Sequence, residues 1–202
     1  VAKFITVEGL DLAGKTSIII PYLQSKLNSD KYLFVADMKT GKLSQKVREI
    51  FMDPECITST TDWRTIAFLA SASRSDYVAQ NIIPALNAGI NVISDRYVDT
   101  SFVYNLKSDT SPVNTILNLS THLVYPNIII FAYCSYAEMQ KRKGMRDDND
   151  HWDIMTEEAY NDKLERYRSQ LNSRHSHVIE IDTSCTVEEV YSILDSTVLS
   201  II

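Results

Sequence analysis

The chain is 202 residues long, 45% hydrophobic and 23% charged, with only 5 Gly and 5 Pro; that is enough apolar material for one buried core and excludes a disordered, collagen-like or linker protein. Lys and Arg number 20 against 26 Asp and Glu, so a net charge of -6 offers no general field for nucleic acid or an acidic membrane, and any phosphate chemistry has to be local. Cys56, Cys134 and Cys185 are an odd number at unrelated spacings, which fits neither a disulfide framework nor a zinc site and reads as reduced thiols.

In chain order, Phe4-Ile5-Thr6-Val7 is a β-branched and aromatic strand ending at Gly9, and an apolar pattern from Ile18 to Leu27 predicts a helix. Tyr32 to Ala36 reads as a second strand. Leu43, Val47, Ile50 and Phe51 repeat at helical spacing and predict a short amphipathic helix with these residues on one face. A long helix with many small residues is expected from Trp63 to Leu86, its last turn disturbed by Pro84 and closed by Gly89. Strands follow at Asn91 to Asp95, Ile128 to Ala132 and Val178 to Ile181, with helices from about Thr156 to Leu171 and from Val187 to Leu199. Strands alternating with helices predict an α/β fold, a parallel sheet with helices on both faces. Residues 141–153, with Lys141, Arg142, Lys143 and Arg146 followed by acids, leave almost nothing to bury and are expected to form a mobile surface segment. No charged start leads into an apolar run, and no stretch reaches the roughly 18 apolar residues of a membrane span. The expectation is a soluble, cytoplasmic chain without nucleic-acid or membrane partners.

Gly9-Leu10-Asp11-Leu12-Ala13-Gly14-Lys15-Thr16, followed by Ser17, matches G-x-x-x-x-G-K-[ST] between a predicted strand and a predicted helix, the context a phosphate-binding loop requires. Two glycines let the backbone turn tightly and aim N–H groups at phosphate oxygens, and the helix start adds its positive end. Lys15 supplies a full charge at the β and γ phosphates, and the Thr16 hydroxyl can ligate Mg2+. The N-K-x-D guanine motif is absent from the sequence, which disfavours a signalling GTPase. At the carboxyl end of the third strand, Asp95-Arg96 brings an acid for magnesium and a cation for phosphate to the ligand side of an open sheet; a structural ion pair is the alternative. Phosphoryl transfer between two anions needs cations reaching both, and Lys15, Arg48, Arg74, Arg96, Arg142 and Arg146 are available, although each arginine alone suits a solvated surface. His175-Ser176-His177 reads as a surface turn more than a metal site.

These residues carry a family resemblance. V-E-G-L-D-L-A-G-K-T at Val7 to Thr16, S-R at Ser73-Arg74, I-S-D-R-Y at Ile93 to Tyr97 with Ser101 and Tyr104 downstream, and Y-P-N at Tyr125 to Asn127 resemble the thymidylate kinases of the nucleoside monophosphate kinase group, across nearly the whole chain. The resemblance implies a single P-loop NTPase-type kinase domain over residues 1–202, with about five parallel strands and a small mobile lid at 141–153. It implies transfer of the γ-phosphate of ATP to dTMP, giving dTDP and ADP, and a homodimer. It places Asp11 toward the acceptor sugar, Arg48 and Arg96 on the acceptor phosphate, and Arg74 on the base. Asp95 then helps hold magnesium, Tyr104 lies against the deoxyribose, Arg142 stacks on adenine, and Arg146 reaches the phosphates from the lid. The loop at Asp182-Thr183-Ser184 either borders the adenine pocket or caps the next helix.

The sequence also departs from the family pattern. Ala36-Asp37-Met38-Lys39 stands where Arg-Glu-Pro-Gly is common, with Asp37 replacing the acid. Ala70 stands where a phenylalanine usually stacks on thymine, and Phe68 is about 200° around the helix from it. Leu12 occupies the place of a loop arginine found in some members, which leaves the transition-state cation to the lid; His151 stands for the second lid arginine and Asn127 for an aspartate. The alternatives are a related kinase for another deoxynucleotide or a deoxynucleoside, and a nucleotide-binding regulator without catalysis.

Overall fold

The structure, a computed structural model, describes residues 1–58, 60–104, 119–145 and 155–202. Five short strands, β1 (Phe4–Glu8), β2 (Tyr32–Ala36), β3 (Asn91–Asp95), β4 (Ile128–Tyr133) and β5 (Val178–Asp182), form one sheet in the order β2-β3-β1-β4-β5, parallel at every pairing. The central strands β1 and β4 are buried on both faces, β4 as a nearly continuous apolar run and β1 with Thr6 and Glu8 among its apolar residues, as a parallel sheet covered twice demands. Alternation then sorts their side chains. Ile5, Val7, Ile128 and Ile130 pack with Ile19, Leu23, Val190 and Leu194, while Ile129 and Phe131 face Tyr160, Tyr167 and Leu171 on the opposite side.

The helices are α1 (Ile20–Lys26), α2 (Lys42–Met52), α3 (Trp63–Tyr77), α4 (Ile83–Asn87), α5 (Val98–Tyr104), α6 (Tyr136–Gly144), α7 (Glu157–Arg174) and α8 (Val187–Thr197). Tyr160, Tyr167 and Leu171 lie seven and four residues apart, which puts them on one face of α7 beneath β4. Thr186 caps α8 through a reciprocal capping box with Glu189, so capping falls to Thr186 and Thr183 is left for the site.

Two sequence expectations are corrected here. The helix expected from Trp63 to Leu86 is interrupted by a wide π-turn at Val78–Ile82, where the Ile83 N–H reaches back to the Val78 carbonyl before α4 begins. The wide turn relieves the clash that the Pro84 ring would make with a regular helix, and the chain continues to Asn87 without ending there. The same device precedes Pro21, with a π-turn at Lys15–Ile19. On α2 the buried face consists of Ser44 and Val47, whereas Leu43 and Ile50 are exposed. The hydroxyl contact of Ser73 with Ser44 at 3.0 Å explains the small residues of α3: they seat this helix closely on α2.

The carboxyl ends of the strands all open to one edge of the sheet, which collects the loop after Glu8, Asp37, Asp95, Cys134 and Thr183. Residues 146–154 lie outside the described residues, so the expected lid, with Arg146 and His151, is described only at its start, where Lys141, Arg142 and Lys143 belong to the last turn of α6. Among the described residues no helix is long and apolar enough to cross a membrane.

Candidate active site

The phosphate loop is fixed by backbone geometry first. Gly9 has φ of 148°, and a Cβ there would stand 2.1 Å from the Ala132 carbonyl oxygen on β4; Gly14 takes φ of 79° at the start of the following helix. No other residue type fits Gly9 without displacing the central sheet. Lys15 folds over the loop and donates to the Leu10 carbonyl at 2.6 Å. Arg142 Nη1 donates to the Leu12 carbonyl at 2.8 Å, and the buried Thr183 hydroxyl lies 3.1 Å from the Ala13 carbonyl. The loop carbonyls are thus held from behind. Arg142 is further tied to Glu138 at 3.0 Å, to the Thr183 hydroxyl at 3.0 Å and to the Thr183 carbonyl, which joins α6 to the loop after β5.

Burial, and after it the Arg96 charge, pulls the Lys15 ammonium down to about 8. Its charge is therefore poorly hydrated where the terminal phosphates of a nucleotide would lie. Next to it, Thr16 donates to Asp95 Oδ2 at 2.6 Å, and Asp95 Oδ1 is buried with no hydrogen-bond partner. Two hard oxygen donors, one with its lone pairs unclaimed, fit Mg2+, which takes few protein ligands and completes its shell with water and phosphate. Among the described residues no group of three or more His, Cys, Asp or Glu is placed to hold a metal ion.

Arg96 has φ of 68°, and Leu12 and Met38, which with Arg96 are the non-glycine residues of positive φ among those described, also line the cleft. Backbone strain of this kind costs on the order of 1–3 kcal/mol per residue and gathers at functional sites. The strained turn aims the Arg96 guanidinium at the Gly9 carbonyl, 2.9 Å away, and at Asp11, 2.5 Å away. Burial pushes the Asp11 carboxyl upward, but Arg96 and Lys15 outweigh it and hold the group well below the ordinary carboxylate range. The Tyr104 hydroxyl donates to the same carboxylate at 2.8 Å, and the Tyr104 ring lies under Arg96 on one contact and Lys163 on another.

Deeper in the cleft, Arg74 is fully buried. Its guanidinium meets Asp37 Oδ2 through Nη2 at 2.5 Å and Nε at 3.1 Å, and Nη1 donates to Ser101 at 3.2 Å. Ala70, one helical turn away, lines the same cavity with Ile66, Phe51 and Met52, while Phe68 points to solvent. This cavity measures about 180 Å³ and opens into a larger one of about 720 Å³ over the phosphate loop, which Ser17 also lines. Asp11, Asp37, Arg48, Met52 and Arg96 belong to both. The structure therefore brings together every expected site residue among those described, and Arg146 lies outside them.

Sequence reasoning missed a buried network behind Arg96. Thr100 donates to Glu8 Oε2 at 2.9 Å and accepts from Arg96 Nη1 at 3.3 Å, and the Tyr167 hydroxyl donates to the same Glu8 oxygen. The signal was an acid, Glu8, closing a mainly apolar strand. The reading of His175 as a surface turn is also corrected: its ring is buried and lies 3.0 Å from both oxygens of Asp99, which pins the end of α7 to α5.

The thymidylate kinase family model matches residues 7–193. A thymidylate kinase of Ligilactobacillus salivarius (strain UCC118) is 29% identical over 197 residues, covering 93% of this chain and 93% of that protein. A thymidylate kinase of Thermoanaerobacter sp. (strain X514) is 31% identical over 161 residues, covering 75% of this chain and 77% of that one. The crystal structure of thymidylate kinase from Ehrlichia chaffeensis superposes with a TM-score of 0.73 at 18% identity, covering 96% of this chain and 97% of that chain, a likeness of fold.

Proposed function

The chain belongs to the thymidylate kinase family, and on that premise we propose that it transfers the γ-phosphate of ATP to dTMP, giving dTDP and ADP. One observation carries the reading: the loop that suits a triphosphate and the arginine-lined cavity that suits a nucleotide monophosphate open into a single cleft across Asp11, Arg48 and Arg96. In the reaction an oxygen of the acceptor phosphate bonds to the γ-phosphorus as the bond to the β–γ bridging oxygen breaks, and ADP carries away the electron pair.

Residues 9 to 17 hold the ATP phosphates in this proposal, with Lys15 neutralising charge as it moves to the bridging oxygen and Arg142 bordering the adenine side beside Thr183. Thr16 and Asp95 hold Mg2+, which when bound screens the β and γ phosphates. Arg96 and Arg48 grip the acceptor phosphate, Tyr104 and Asp11 meet the sugar, and Arg74, fixed by Asp37 and Ser101, reads the base. Arg146 supplies the lid cation, from a lid at 141–153 within one kinase domain. The three free cysteines suit a reducing, cytoplasmic compartment. A homodimer through the outer faces of α2 and α3 is supported by the exposed Leu43, Ile50 and Phe68; Phe68→Glu should then convert dimer to monomer in light scattering.

A coupled ADP-release assay across dTMP, dUMP, dGMP, dCMP and thymidine tests the reaction, with dTMP expected to be preferred. Preference for another acceptor would reject the base assignment and leave the kinase reading standing; ATP binding without turnover on any acceptor would leave a nucleotide-binding regulator.

A further inference from the structure

Glu8 ends β1 directly behind Arg96, and no step of the proposed reaction uses it. The residue is fully buried. Oε2 accepts from Thr100 and Tyr167, whereas Oε1 is buried with no partner among the described residues. The groups facing it are Arg96 and Asp99 from the segment after β3, Lys15 from the phosphate loop and Tyr167 from α7; Asp99 is itself met by His175 at 3.0 Å and by Arg174 at 3.5 Å. Burial and then Asp99 push the Glu8 carboxyl up to about 7, against the pull of Tyr167, Arg96 and Thr100.

The connection to the acceptor site is a single hydroxyl. Thr100 hydrogen-bonds Glu8 on one side and accepts from Arg96 on the other, so the charge on Glu8 and the charge on whatever Arg96 binds act on the same guanidinium. A phosphate dianion drawn to Arg96 brings like charge toward a carboxylate that water cannot screen, and the neutral acid becomes the favoured form. The unclaimed Oε1 is the oxygen that can accept the proton.

We propose that Glu8 is a positioning residue acting through Thr100 on Arg96, and that binding of the acceptor's phosphate dianion makes Glu8 take up one proton from solvent at Oε1. The inference rests on the reading of Arg96 as the acceptor-phosphate ligand. It makes acceptor binding proton-linked near neutrality, so that the hold on the acceptor weakens as pH rises above that range.

Titration calorimetry of the whole chain with dTMP at pH 7.5, without ATP, in buffers of different ionisation enthalpy counts the protons exchanged. The wild type should take up about half a proton more than Glu8→Gln. The phosphate of dTMP titrates in both proteins and cancels in that difference. With thymidine, which has no phosphate, the difference should vanish. Tyr167→Phe removes a donor that favours the charged carboxylate, so the pH of greatest uptake should move upward, an effect that a merely structural tyrosine would not produce, and this variant carries the test if Glu8→Gln fails to fold. Equal proton counts in wild type and Glu8→Gln, or an unmoved profile in Tyr167→Phe, overturn the proposal while leaving the acceptor reading intact. Failure of the wild type to bind dTMP overturns both.

Discussion

Arg74 and Asp37 are closed off from solvent together, one guanidinium facing one carboxylate oxygen at 2.5 Å and 3.1 Å, with side chains 1% and 4% exposed. Burial works against the charge on Arg74, and the contact with Asp37 is the largest of the effects that outweigh it. Removing either partner strands the other. Arg74→Ala or Asp37→Ala should lower unfolding free energy in urea by about 3–5 kcal/mol, whereas Arg74→Met combined with Asp37→Leu should recover most of that loss while abolishing turnover.

Lys15 opposes stability in the nucleotide-free protein. In the unfolded chain its ammonium titrates near 10.4, and in the fold burial and Arg96 draw it to about 8. Between those values the unfolded chain binds more protons, so this residue makes stability rise with pH from about 8 to about 10.4 and penalises folding below that window. Lys15→Met should therefore be more stable at pH 7 by about 1–3 kcal/mol in denaturant unfolding, with turnover reduced at least about 100-fold in the ADP-release assay.

Ala70 lines the acceptor cavity at 1% exposure, where the family usually stacks an aromatic ring on the base. Ala70→Phe should lower KM for dTMP about three- to tenfold, the worth of one aromatic contact, with little change in kcat. Steady-state kinetics with dTMP and dUMP would read this directly, and a raised KM for both would mean that the base occupies the space which Ala70 leaves.

Gly9 tolerates no side chain, because a Cβ would approach the Ala132 carbonyl oxygen to 2.1 Å at a φ of 148°. Gly9→Ala should cost about 2–5 kcal/mol of stability by thermal or urea unfolding, as backbone strain and overpacking add. Saturating ATP with magnesium should restore less of this loss than it adds to the wild type, since the displaced loop is the one that holds the phosphates.

The sheet was legible because its central strands are covered on both faces, and a run such as Ile128 to Ala132, short and rich in β-branched side chains, suits such a strand better than a buried helix. The loop from Gly9 to Thr16 was legible because steric and charge requirements fix residue types at fixed spacing. The arginines were not legible on the same footing: Arg96 stood out only by its place at the carboxyl end of a strand, no spacing relates it to Arg48 and Arg74, and likeness to a known family gave those two their roles. Contacts such as Tyr167 with Glu8 and Arg142 with Thr183 join residues 159 and 41 positions apart, and tertiary packing creates them. The small residues of α3 showed close packing, and the element they seat against is α2, where Ser73 meets Ser44.

The wide turn at Val78–Ile82 carries one residue more than a regular helical turn would need. Deleting a single residue there would restore even winding and leave Trp63–Tyr77 in phase with the α4 end, because the wide turn absorbs the extra residue. The Pro84 ring would then press on the carbonyl four residues before it. The surplus residue between Arg74 and Pro84 is thus what lets a proline sit within this helical run while Arg74 and Ala70 still face the acceptor pocket.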